Sequence, residues 1–260
     1  MMSSSGHLPR AEIPAALVRP VECRAFDIAA GETFRPHAHD WAQFTYSADG
    51  VLTVGTDEGR FTAPPAMAVW IPPNVTHDIR TVGAAKFRSL YIARDRAVGM
   101  PERCAVLSVD PLLRQLVLEA VALPREWDEE GPPGRLMAVV LDRIRAAERA
   151  RLDLPLPLDG RLRRVTDALL RDPADRRDLD AFARDVGASS RTLARLFKTE
   201  TGMTFGEWRQ RRVLVAALER LADGSPVTGV ALDLGYESPS AFIAMFKRVL
   251  GETPSRYVRK

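Results

Sequence analysis

A shift of 49 residues lays one part of this 260-residue chain over another, and few folds accommodate such a repeat. Ser189 falls on Ser238, Phe197 on Phe246, Lys198 on Lys247, Gly202 on Gly251, Thr204 on Thr253 and Trp208 on Tyr257. Matches at caps, turns and apolar positions together indicate a duplicated supersecondary unit rather than chance composition.

Each copy reads as a short helix, a glycine turn and a second helix. Leu179 to Val186 leads into Gly187, a residue suited to the left-handed end of a helix, and Ser189 caps the next helix to about Thr199. In the second copy Ser225-Pro226 opens a helix, Gly235 ends it, and Ser238-Pro239 opens the following one, since proline at a first helical position costs little. Between the copies, Thr204 and Glu207 have capping-box spacing for a long helix to about Ala222. Roughly 19 residues at about 1.5 Å each span about 28 Å. That is close to the ~34 Å between successive major grooves on one face of B-form DNA.

Leu193 and Phe197, like Phe242 and Phe246, are spaced for a buried face. Ser190, Arg191, Thr192, Arg195 and Lys198 are then left to face a partner, with Ser240 and Lys247 in the second copy. Arginine donates a matched pair of hydrogen bonds to guanine, and lysine neutralises phosphate. Pro239, Ile243 and Ala244 offer few donors, so stricter base reading is expected of the first copy. The alternative for Arg191 and Arg195 is an ordinary solvated helix face. Charge distribution favours the polyanionic partner: from Asp159 to Lys260 there are 19 Lys and Arg against 14 Asp and Glu, whereas the rest of the chain has 18 against 20.

The stretch Leu179 to Tyr257 resembles the AraC/XylS family of regulators. The resemblance rests on Ser189-Ser-Arg-Thr-Leu-Ala-Arg-Leu-Phe197, Thr201-Gly202 and Gly235-Tyr-Glu-Ser-Pro-Ser-Ala-Phe242. It implies two recognition helices in adjacent major grooves of duplex DNA, joined by one long helix. It also implies activation or repression at a promoter, with the transcription machinery as a partner.

Residues from about Val21 to Ala93 read differently. Trp41 to Tyr46, Val51 to Val54, Ala66 to Ile71 and Phe87 to Ile92 are β-type runs, with turn residues Asp49-Gly50 and Glu58-Gly59 between them. An antiparallel barrel or sandwich is expected. Three of the four histidines fall in Gly31-x5-His37-x-His39-x3-Gln43-x6-Gly50 and Pro72-x-Asn74-x2-His77. Even offsets put His37, His39 and Gln43 on one face of a strand. If His77 approaches them, three imidazoles and an oxygen suit a divalent transition metal, with zinc, nickel, iron and manganese all open. The alternative is a set of hydrogen-bonded interior histidines without metal. Trp41, Tyr46 and Trp70, with Phe44 and Phe61, either line a pocket for a small apolar effector or pack as core.

The histidine spacing resembles the two motifs of the cupin superfamily, whose barrels serve as sensor domains in AraC-type regulators. Gln43 stands where the family has glutamate, and Asn74 where it has glycine, a position asparagine tolerates because it enters the left-handed region more readily than other residues. The expected fold class is therefore α+β in two domains. An N-terminal cupin-like antiparallel β-barrel carries a helical pair, and an all-α tandem helix-turn-helix domain follows.

The helical pair is read from Leu112, Leu113, Leu116, Val117, Ala120 and Val121 behind Asp110-Pro111. It continues, after Gly131-Pro-Pro-Gly134, with Leu136, Val140, Leu141 and Ile144 between Arg135 and Arg149. Each helix has one apolar stripe, so a homodimer is expected through this pair. The expected divisions are 1–20 as a flexible N-terminus, 21–108 the barrel, 109–150 the helical pair, 151–158 a proline-spaced linker and 159–260 the DNA-binding domain. Hydrophobic residues at 46% and charged residues at 27% exclude a disordered or fibrous chain. The absence of an apolar run near 20 residues excludes a membrane helix. Cys23 and Cys104 lack metal spacing and read as reduced thiols, which with no secretory pattern points to the cytoplasm. A rival class is a metal-dependent cupin enzyme fused to a DNA-binding domain, but no catalytic acid, base or nucleophile is placed by the sequence.

Overall fold

The computed structural model describes residues 14, 16–29, 32–81, 84–150 and 152–257. Gly31, and most of the segment 1–20 expected to be flexible, lie outside them. In chain order the elements are β1 (Val21–Ile28), β2 (Thr33–His37), β3 (Ala42–Asp49), β4 (Leu52–Thr56), β5 (Gly59–Ala63), β6 (Met67–Ile71), β7 (His77–Thr81), β8 (Ala85–Ile92) and β9 (Ala105–Ser108). Helices α1 (Pro111–Ala122) and α2 (Pro132–Ala146) follow, then the short strands β10 (Arg149–Ala150) and β11 (Asp153–Pro155). The remainder is helical: α3 (Gly160–Arg171), α4 (Leu179–Val186), α5 (Ser190–Thr201), α6 (Phe205–Ala222), α7 (Val227–Asp233), α8 (Pro239–Leu250) and α9 (Pro254–Tyr257). Two units emerge: residues up to Thr56 with Phe61–Asp153, and Asp57–Arg60 with Leu154 onward.

The expected cupin-like barrel is not what forms. The strands make two open antiparallel sheets, ordered β1-β8-β3-β6-β9-β10 and β11-β5-β4-β7-β2. A barrel needs one hydrogen-bonded ladder that returns to its first strand. Here each sheet ends on edge strands, and no closed barrel exists among the described residues. The sheets meet through side chains instead: Phe34 of β2 packs edge-on against Phe26 of β1 and Phe87 of β8, at ring separations of 5.4 and 6.0 Å.

Alternation along β3 sorts the sheet's two faces. Phe44 lies opposite Trp70 and Leu90, so these side chains share one face. That face, with Ala42 and Tyr46, joins Leu113 and Val117 of α1 and Val140 and Ile144 of α2 in a continuous apolar core. Gln43, Thr45 and Ser47 point the other way, toward the second sheet. Helix α1 starts where Asp110 accepts a 2.8 Å hydrogen bond from the Leu113 amide. Helix α2 begins earlier than its sequence suggests, because Pro132 and Pro133 occupy its first turn, where no amide hydrogen is needed. The segment expected as a linker is partly structural: Leu152 and Leu154 are buried, while Leu158 is exposed.

In the second unit the duplication holds down to the caps. Ser189 and Ser238 each cap their following helix, accepting from Thr192 N and Ala241 N. Gly202 and Gly251 end those helices in the left-handed conformation, with φ of 72° and 79°. Phe197 and Phe246 are fully buried, as are Leu193 and Phe242. The first helix pair packs with α3 and α6 around Leu162, Phe182, Phe197 and Trp208. Helix α6 opens with a complete capping box, Thr204 Oγ1 accepting from Glu207 N and Glu207 accepting from Thr204 N. Its 18 residues extend about 27 Å. No helix among the described residues is long and apolar enough to cross a membrane.

Candidate functional site

Two sites have the side-chain chemistry for a ligand. The first lies on α5. Leu193, Leu196 and Phe197 are buried, and Arg191, Arg195 and Lys198 are exposed on the opposite side of the same helix. Among the described residues, neither Arg191 nor Arg195 has a hydrogen bond or ion pair, so their guanidinium donors are available to a partner. Lys198 Nζ donates to the Gly202 carbonyl at 3.1 Å, which draws it toward the helix end. Thr192 exchanges a 2.9 Å hydrogen bond with the Ser189 hydroxyl and is thereby tied to the cap, with Ser190 half-buried beside it. On α8, Ser240 and Lys247 are both exposed, about half a turn and two and a half turns beyond Ser238.

The second site is the histidine cluster in the first unit. His37 pairs directly with His77 across β2 and β7, after a register shift that follows Phe34. One ligating nitrogen from each of His37, His39 and His77 lies within 4.8 Å of the others. The ring nitrogens are already sorted. Nδ1 of His37, His39 and His77 sits 2.8, 2.9 and 2.9 Å from the carbonyl oxygens of Arg35, Trp41 and Val75. A carbonyl only accepts, so in each neutral ring Nδ1 carries the proton and Nε2 the lone pair. Such second-layer carbonyls are the usual means of fixing a ligating imidazole.

Gln43 completes the set. Its Oε1 is 3.0 Å from His39 Nε2, while its amide nitrogen donates to Thr45 Oγ1 at 2.8 Å and Ser89 Oγ at 3.3 Å. In that orientation two electron-pair donors face each other, which is unfavourable unless a cation serves both. His77 Nε2 is buried with no hydrogen-bond partner among the described residues. Burial, reinforced by the neighbouring His37, pushes the His77 pKa down to about 3, and burial also lowers that of His39. Both rings are therefore neutral near pH 7, the form that binds metal. Ligand atoms about 2.1 Å from one ion stand roughly 3.0–3.4 Å apart. The residues fit a divalent ion after modest inward adjustment of the rings. Asn74, as expected, takes the left-handed conformation (φ 64°), and its amide donates to the His39 carbonyl at 2.8 Å.

The three aromatic residues expected around an effector are not brought together. Trp41 stacks on His39 with ring centroids 5.0 Å apart and planes 10° from parallel. Tyr46 and Trp70 lie on the helix-facing side of the six-stranded sheet, in the core with α1 and α2, and Trp70 Nε1 donates to the Pro101 carbonyl. Sequence reading passed over Thr45, Ser89 and Tyr91. The strand period puts Thr45 on the face of Gln43, but Ser89 and Tyr91 arrive only through pairing of β3 with β8. Tyr91 meets His39 edge-on at 6.1 Å.

Comparison with known proteins follows the same division. The family described as an AraC-like ligand binding domain matches residues 19–165, and a helix-turn-helix domain matches residues 182–260. NimR of Escherichia coli K12, a helix-turn-helix-type transcriptional regulator, is 35% identical over 239 residues, covering 91% of this chain and 87% of NimR. The regulatory protein SoxS of Salmonella typhimurium LT2 is 42% identical over 81 residues, covering 31% of this chain and 76% of SoxS. Both relatives are regulators and not enzymes, in keeping with a non-catalytic protein.

Proposed function

We propose that this chain, which belongs to the AraC/XylS family of helix-turn-helix transcriptional regulators, binds promoter DNA sequence-specifically and is controlled by what its histidine cluster binds. The observation that carries the DNA reading is the face of α5. Arg191 and Arg195 extend from the helix side opposite Leu193, Leu196 and Phe197, with no partner among the described residues to occupy them. Arg195 and Arg191 read base edges, Ser190 and Thr192 approach the backbone or bases near the helix start, and Lys198, Ser240 and Lys247 hold phosphates. In this reading the protein works in the cytoplasm and addresses the transcription machinery from the promoter. Gel-shift titration of the full chain on its own upstream promoter, across a salt series, is the test. A steep fall of affinity with salt and a protected stretch spanning two major grooves are expected. Equal affinity for promoter and unrelated duplex at every salt concentration would defeat it.

The sensing half of the proposal rests on His37, His39 and His77, with Gln43 as a fourth ligand. These residues would hold zinc, nickel, iron or manganese. A bound ion would supply a fixed positive charge that ties β2 and β7 to the loop before β3. Metal analysis of untagged protein after reconstitution at neutral pH should find one ion per chain, and loss of that stoichiometry in His77→Ala. No bound ion in the wild-type chain would remove this half alone. A homodimer through α1 and α2 is also proposed. Leu112 and Val139 are exposed at 54% and 45% on these helices, although both helices also bury an apolar stripe. Sedimentation at micromolar concentration distinguishes dimer from monomer.

A further inference from the structure

We infer that the histidine cluster takes a small carboxylate together with its metal ion, and that the carboxylate accepts a hydrogen bond from the indole N–H of Trp41. The inference rests on the metal reading above. Two independent observations lead to it.

The first is charge. His37, His39, His77 and Gln43 are all neutral ligands, and no Asp or Glu shares the cluster among the described residues. Asp40 acts on His39 only at a distance, and its side chain is exposed. None of these four ligands offsets the charge of a dication, in a site where His77 is 1% exposed and Gln43 2%. Buried charge without a counter-charge is costly. With Gln43 as a fourth donor, a six-coordinate ion such as iron or manganese still keeps coordination positions for a ligand from outside. An anion there answers both conditions.

The second is the indole. The chain has four tryptophans. Trp70, Trp127 and Trp208 each donate their N–H to a backbone carbonyl, those of Pro101, Val21 and Pro155, at 2.8, 3.2 and 3.0 Å. Trp41 does not: it is 8% exposed, lies parallel to His39, and its Nε1 is buried with no acceptor among the described residues. An indole N–H can only donate, so a metal ion alone cannot satisfy it. A carboxylate carries one oxygen for the open metal position and a second for Trp41. Tyr91 stands edge-on to both His39 and Trp41, and Gln43 is backed by Thr45 and Ser89; beside side chains as buried as His77 and Gln43, a small ligand is favoured.

Cobalt(II) provides a visible-absorbance probe of the full chain. Its stoichiometry and affinity are measured first, then acetate and its neutral analogue acetamide are titrated into the loaded protein. Acetate should change the cobalt spectrum saturably, and acetamide should not at the same concentrations. Trp41→Phe keeps the stacked ring and should leave cobalt affinity intact while weakening acetate roughly tenfold, the loss of one hydrogen bond to a charged group. Gln43→Glu supplies the negative charge from the protein, so it should tighten cobalt and weaken acetate by about tenfold or more. Cobalt binding with no acetate response, or acetate affinity equal in wild type and both variants, overturns the carboxylate inference and leaves the metal reading standing. Failure of cobalt to bind overturns both.

Discussion

The two helix-turn-helix units are alike inside and unlike outside. Their caps, left-handed glycines and buried phenylalanines coincide under the 49-residue shift. Across that same shift Arg191 and Arg195 become Ser240 and Ala244, and of the cationic face only Lys198 is retained, as Lys247. The turn also differs: Gly187 stands two residues before its cap, whereas Gly235 stands three before Ser238. A duplicated scaffold has thus kept the residues that make it fold and changed those on its exposed face. One copy can therefore lose the arginines of its exposed face without loss of its architecture.

The largest expected effects test the shared interior. Phe197→Ala and Phe246→Ala should each destabilise the chain by about 3–5 kcal/mol in urea denaturation, from cavity formation at fully buried rings. A markedly smaller cost in the second unit would break the equivalence. Next comes the divergent surface. Arg195→Ala should cost about 1–3 kcal/mol of discrimination at one operator position, read by binding to single-base variants of the site. Ala244→Arg should create a new preference in the other half-site, and if it merely raises affinity for all sequences, the second helix does not lie along base edges. Smaller again, Ser189→Ala and Ser238→Ala should each lower stability by ~1 kcal/mol, with similar melting-temperature shifts. The smallest is Lys247→Ala, expected to weaken all duplexes alike and flatten the salt dependence by the equivalent of roughly one phosphate contact. A sequence-dependent effect there would reverse the roles assigned to the two helices.

What the sequence disclosed follows the range of the interactions involved. The capping box of Thr204 and Glu207, the serine caps and the glycine stops depend on residues within four positions of each other, and all were legible. The left-handed Asn74 was legible, and His37, His39 and His77 do come together, but not along one strand face as expected: His37 ends β2, His39 lies in the connection that follows, and Gln43 is on β3 of the other sheet. Barrel closure was not legible. It is decided by which strand lies beside which across the whole sheet, and the histidine spacing is compatible with two open sheets as well as with a closed ladder. The parity of β3 separates Tyr46 from the cluster: at an odd offset from Gln43, it faces away toward the helices. The first-turn prolines of α2 read as a break because Pro-Pro is punctuation in isolation, and only the helix that follows shows them as its start.

Helix α6 carries a further implication. Adding a single residue to its 18 would advance one end by about 1.5 Å and swivel it by about 100° relative to the other. In the DNA reading proposed above, the second helix would then meet the sugar–phosphate rail at an angle rather than lie along the groove. Substitutions on its exposed side leave that phase untouched. Over generations, such a stretch should drift freely in its letters while its count of letters stays fixed.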